Sequence, residues 1–128
     1  MIKLISLVLF SLSISLGQFV FENDTQDTEP FTKEQLAEVQ KLIDAIGEDE
    51  WKALDAAKLY KQNCSSCHGR KGGLGLGGAA NLKESKLDNT HKFAMVYYGK
   101  GSMKSYKELM SPADILSVSN YLESLLSK

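Results

Sequence analysis

The chain has 128 residues, with 15 Lys plus Arg against 16 Asp plus Glu, and is 43% hydrophobic and 24% charged. That length holds one small folded domain with an appendage, and the composition excludes a disordered chain. A net charge of −1 excludes a general polyanion binder, so no nucleic-acid partner is expected, and two Cys exclude a framework of disulfides.

Residues 1–17, MIKLISLVLFSLSISLG, carry one early Lys followed by an apolar run broken only by Ser. Ser15 and Gly17 place small residues three and one positions before a cut, the pattern of a secretory signal peptide. An uncleaved anchor is the alternative, because Phe19, Val20 and Phe21 prolong the apolar stretch. Either way the remainder is expected to be exported, to the periplasm in a bacterium.

Beyond this leader the charge is polarised. Residues 18–50 hold ten acids and two lysines, a net of −8, whereas residues 51–128 hold six acids and twelve bases, a net of +6. Residues 18–50 therefore read as an acidic linker followed by one amphipathic helix, and residues 51–128 as the main domain. Thr32 and Gln35 have capping-box spacing, Phe31 and Leu36 sit at staple positions, and Leu36, Val39, Leu42, Ile43 and Ile46 form one apolar stripe before Gly47. That stripe needs a surface to pack on, either the body or a partner.

A second helical segment is predicted from Trp51 to Asn63, and a Gly-rich loop from Cys64 to Asn81. A third helix is predicted over Thr90–Tyr98, capped by Asp88, Asn89 or Thr90 and stopped by Gly99. The last helix has the clearest start, with Ser111 as cap, Pro112 in the first turn and Asp114 closing a capping box. No segment alternates long enough for a strand, so the fold class is all-α.

The chemistry lies in Cys64-Ser65-Ser66-Cys67-His68. Two thiols three residues apart at a helix end project to one side, and the imidazole that follows falls over the same ligand. This suits two thioether bonds to the vinyl groups of a haem, with His68 on the iron. A zinc site would need four ligands, and the only other His is His91. A thioredoxin-like pair would need a preceding strand, and a Cys64–Cys67 disulfide would close a loop too small to add much stability. Gly73, Gly75 and Gly78 satisfy GxGxxG, but no strand precedes them. They read better as a loop that wraps a flat ligand closely.

From about Asp55 to Leu126 the sequence resembles the small single-haem class I cytochromes c. The resemblance rests on Tyr60, CSSCHG, the Gly-rich loop, Asn81-Leu82, Gly99-Lys100-Gly101-Ser102-Met103 and a final helix with Tyr121. It implies a cytochrome c-like fold of helices around one covalently bound haem c, here with an extra N-terminal helix. It also implies that the first and last helices of the domain cross, bringing Tyr60 near Val118 and Tyr121. The family's distal ligand maps to Met103. A thioether on a bendable loop is a soft donor that suits this role, with Met110 and His91 as rivals and Met95 as core filler. Ala56, Ala80 and Lys104 stand where the family usually has Gly, Pro and Pro.

The implied function is single-electron transfer with His68/Met103 ligation, without substrate chemistry, so the protein is not expected to be an enzyme. Alternatives are a ligand sensor or peroxidase with a weakly held sixth ligand, and a haem-free thiol–disulfide protein. Arg70, Lys71, Lys83, Lys86, Lys100, Lys104 and Lys107 fall in the loops that would surround the haem edge, which points to a redox partner with an acidic docking surface.

Overall fold

A computed structural model describes residues 29–126; the leader over residues 1–17 and most of the acidic linker lie outside this range. Six helices make up the described fold: α1 (Lys33–Ala45), α2 (Glu48–Lys52), α3 (Ala56–Asn63), α4 (Ser65–His68), α5 (Asn89–Tyr98) and α6 (Pro112–Leu126). Two single 3-10 turns, Leu76–Gly78 and Leu82–Glu84, shape the Gly-rich segment. There is no strand among the described residues, only an isolated pairing of Lys100 with Met103. None of these helices is long and apolar enough to cross a membrane.

Helix starts follow local chemistry. The Thr32 hydroxyl accepts the Gln35 amide at 3.2 Å while the Gln35 side chain accepts the Thr32 amide at 2.9 Å, which completes the capping box. Asp88 caps α5 through the His91 amide at 2.8 Å. On α6 the Ser111 hydroxyl accepts the Asp114 amide at 3.1 Å, and the Asp114 carboxylate accepts the Ser111 amide at 3.0 Å.

The segment predicted as one helix from Trp51 to Asn63 is two. The helix α2 ends at Lys52, and the chain restarts at Ala56 because the Asp55 carboxylate caps the Lys58 amide at 2.9 Å. An Asp beside an apolar run satisfies unpaired amides at a helix start better than it serves an interior. The helix α2 also crosses the boundary between residues 50 and 51.

The core forms where α6 meets α3 and α5, with α1 laid across α5 and α6. Tyr60, Phe93, Ile115, Val39 and Val118 are its largest fully buried side chains besides Ser119. Tyr60 and Tyr121 meet at 5.6 Å between ring centroids, so the first and last helices of the domain do cross. The α1 stripe finds its surface on the body: Val39 is wholly buried and Leu36, Leu42, Ile43 and Ile46 pack around the same core. Lys92 is buried on α5 and pairs with Glu123 of α6, an ion pair no local pattern announces.

Candidate functional site

At the end of α3 the chain does not stop turning. Cys64 caps α3 and also opens α4, so Cys64, Cys67 and His68 share one tight turn. The Cys64 carbonyl accepts both the Cys67 amide at 3.3 Å and the His68 amide at 3.0 Å. Both thiols are free, that of Cys64 buried and that of Cys67 exposed. Burial, and then the neighbouring Cys67, pushes the Cys64 thiol up to about 11. Burial thus disfavours Cys64 as an exchange nucleophile.

Two phenols strap this turn in place. Tyr60 donates to the Gly69 carbonyl at 2.7 Å, and Tyr106 donates to the Asn63 carbonyl at 2.8 Å. Burial, followed by Cys64 and Tyr121, raises Tyr60 to about 12, so the strap keeps its proton. The loop then returns: the Leu74 amide donates to the His68 carbonyl at 2.9 Å, and the Leu82 amide to the Gly72 carbonyl at 2.8 Å.

That return brings Ala80 back to His68. The imidazole Nδ1 lies 2.9 Å from the Ala80 carbonyl oxygen. A carbonyl only accepts, so Nδ1 carries the proton and Nε2 keeps its lone pair for a metal. Ala80 replaces the Pro usual in the resembled family, and the contact survives because it uses the backbone.

Met103 lies on a different element, the loop between α5 and α6. It is half-buried at the edge of the core and exchanges backbone hydrogen bonds with Lys100 at 3.0 and 3.1 Å. Gly99 makes the loop possible. Its φ is +72°, and an added Cβ would stand 2.5 Å from the Met103 carbonyl oxygen. The loop is tied to α5 by the Ser105 hydroxyl on the Tyr97 carbonyl at 2.6 Å and the Tyr106 amide on the Val96 carbonyl at 3.0 Å.

The rivals of Met103 are otherwise engaged. Met110 is a buried core residue. Both ring nitrogens of His91 face carboxylates, Nδ1 at 2.7 Å from Asp88 and Nε2 at 3.1 Å from Glu29. Met95 packs half-buried within α5, as a core filler does. Sequence reasoning missed Tyr106, whose two ties join the Met103 loop to α5 and to the Cys64 turn. Its local signal was an aromatic residue between Ser105 and Lys107 in the loop after α5.

These residues fit a covalently held haem. Two free thiols and an imidazole with an available Nε2 share one turn, as two thioethers and one axial bond require. A Cβ at Gly77, Gly78 or Gly101 would meet nothing within 4 Å, and Leu74 and Leu76 stand 60% exposed on the protein alone. This is open, partly apolar surface suited to a flat ligand. A bare metal fits poorly, because no cluster of three His, Cys, Asp or Glu among the described residues could hold one.

Known proteins agree with this geometry. Residues 52–122, more than half of the chain, match the family described as cytochrome c oxidase, cbb3-type, subunit III. A cytochrome c6 from Leptolyngbya boryana is 34% identical over 76 residues, covering 55% of this chain and 88% of that protein. A cytochrome c6 from Anabaena variabilis is 32% identical over 77 residues, covering 55% of this chain and 87% of that protein. The matched family segment contains the whole Cys64–His68 turn and the Gly99–Met103 loop. The chain therefore belongs to the c-type cytochromes, small all-α electron-transfer proteins, and its cofactor is one covalently bound haem c.

Proposed function

We propose that this c-type cytochrome is an exported single-electron carrier of a periplasmic or membrane-associated respiratory chain, with its haem held by Cys64 and Cys67 and ligated by His68 and Met103. The observation that carries the reading is the His68–Ala80 contact beside two free thiols. Cys64 and Cys67 would hold the haem as thioethers, each thiol adding across a vinyl group with its hydrogen passing to the other vinyl carbon. When bound, the haem supplies a one-electron couple between ferrous and ferric iron.

The chain's own residues set that couple. His68 is held in one tautomer by Ala80, and the Tyr60 and Tyr106 straps keep its turn from rotating. Little rearrangement is then needed between oxidation states. A soft Met103 thioether favours the ferrous form and raises the potential. Electron carriage without substrate chemistry is the reading that membership of the cytochrome family supports. The signal-peptide pattern of residues 1–17 supports export.

An acidic docking face on the redox partner is supported by charge. Arg70, Lys71, Lys83, Lys86, Lys100, Lys104 and Lys107 are all exposed, within and just after the Gly-rich loop and on the Met103 loop. Such a surface steers an acidic partner toward the haem edge.

The ligand set is tested by the visible spectrum of the ferric holoprotein. The methionine-to-iron charge-transfer band is expected to vanish in Met103→Ala and to persist in Met110→Ala. Survival of the band in Met103→Ala would overturn the assignment. A high-spin ferric spectrum in the wild type would favour the sensor or peroxidase reading.

A further inference from the structure

The α1 helix lies before the matched family segment, which begins at residue 52. It is nevertheless part of the core through Val39 and, together with Glu29 and Phe31 just before it, it grips α5 at both ends. Near the start of α5, the Thr90 hydroxyl donates to Gln40 at 2.8 Å and His91 faces Glu29. At the end of α5, the Tyr98 phenol donates to the Glu38 carboxylate at 2.7 Å, and the Phe31 ring lies 6.0 Å from that of Tyr98. Lys100 adds a long contact of 3.5 Å to the Pro30 carbonyl.

Tyr98 and Lys100 flank Gly99, the residue against which the Met103 loop closes. Main-chain atoms of Met103, Lys104 and Ser105 all lie within 2.7 Å of where a Gly99 side chain would begin. Lys100 is in turn paired through its backbone with Met103. A continuous line of contacts thus runs from α1, through the end of α5, to Met103.

We propose that residues 29–46 are a brace for the Met103 loop, acting through Tyr98 and Lys100 to position the distal thioether. This rests on the reading of Met103 as distal ligand. Tyr98, and with it Glu38 and Phe31 from a segment outside the matched part of the family, are then positioning residues for the electron-transfer centre. Burial, and then the Glu38 hydrogen bond, raises Tyr98 to about 12, so the phenol retains the proton that it shares with Glu38 across the neutral range.

The test uses the full-length ferric holoprotein and free imidazole as the probe that competes with Met103 for iron. Glu38→Ala and Phe31→Ala are expected to raise the apparent imidazole affinity by roughly threefold to tenfold, since the ligated state loses part of its support. Glu38→Gln keeps an acceptor for Tyr98 and should restore affinity near the wild type. Thr90→Val cuts the same helix contact at its far end, and should change imidazole affinity by less than about twofold while lowering the unfolding midpoint.

Equal increases in Glu38→Ala and Thr90→Val would reduce α1 to general stabilisation and overturn the brace. Unchanged affinity in Glu38→Ala and Phe31→Ala, with the methionine band present in the wild type, overturns the brace alone. Absence of that band in the wild type overturns the Met103 reading and the brace with it. Glu38 is exposed, so its variants decide the matter even where Phe31→Ala does not fold.

Discussion

Single atoms decide the behaviour of the haem turn and the Met103 loop. Gly99 and Gly77 both have positive φ, +72° and +62°, yet their surroundings differ completely. A methyl at Gly77 meets nothing within 4 Å, so Gly77→Ala should cost only about 1 to 2 kcal/mol of backbone strain. At Gly99 the same methyl would collide with main-chain atoms at 2.5 to 2.7 Å, and Gly99→Ala should cost at least about 3 kcal/mol. It should also weaken the methionine band, because the atoms that must move belong to Met103 and its neighbours. Denaturant unfolding of both variants checks the ranking, which equal costs would refute. Tyr60→Phe removes one part-buried hydrogen bond to Gly69 and should lower stability by about 1 kcal/mol.

Helices contribute through their ends as much as through their faces. Ser111→Ala removes the hydroxyl that accepts the Asp114 amide and should destabilise α6, hence the whole core, by about 1 kcal/mol. The start of α5, where His91 lies between Asp88 and Glu29, carries a pH dependence. The Asp88 carboxylate, hydrogen-bonded to His91, holds its imidazolium and raises its pKa above 6.5; partial burial opposes this, and Glu29 adds a smaller lift. A raised folded-state value means that the stability gained is full below 6.5 and is lost as pH rises through the folded value. Asp88 itself is lowered by its hydrogen bond to the His91 amide, and that contribution falls away only in acid. The stability difference between wild type and His91→Asn should therefore be larger at about pH 5.5 than at about pH 8.5. Urea unfolding at both values decides it, and a difference independent of pH would contradict the ion-pair account.

On the scale of the molecule, the haem is expected to be structural as well as functional. Leu74, Leu76 and Leu109 are about 60% exposed on the protein alone, and the Gly-rich segment holds only single 3-10 turns of regular structure. A small core that must also order this segment lacks apolar mass of its own. The Cys64→Ser/Cys67→Ser protein, purified without haem, should unfold at lower denaturant and bind an apolar dye, whereas the holoprotein should not. Cooperative unfolding of that variant at the holoprotein's midpoint would show the haem to be dispensable for the fold. The proposal that the seven exposed basic residues steer an acidic partner has a direct check: reduction by such a partner should slow as salt rises, because charges beyond about 10 Å are screened at about 0.1 M.

The sequence by itself determined everything carried by near neighbours. Thr32 and Ser111 were readable as caps, and Asp88 as one of three candidates, because a cap bonds three residues along, and the Cys64–His68 turn was readable because its donors sit within five consecutive positions. Asp55 was legible in the same way, but the apolar residues on either side of it imitate one continuous helix. Tertiary structure decided what joins distant segments. The Ala80 carbonyl that sets the His68 tautomer is 12 residues away, the Tyr106 strap on Asn63 is 43 away and the Tyr98–Glu38 link is 60 away. Only the tertiary structure shows that α1 packs on the body and that Glu38 of α1 meets Tyr98 at the end of α5. The physical reason is that capping and periodicity are rules of local geometry. A hydrogen bond between distant residues exists only once burial of the core has brought the two chain segments together.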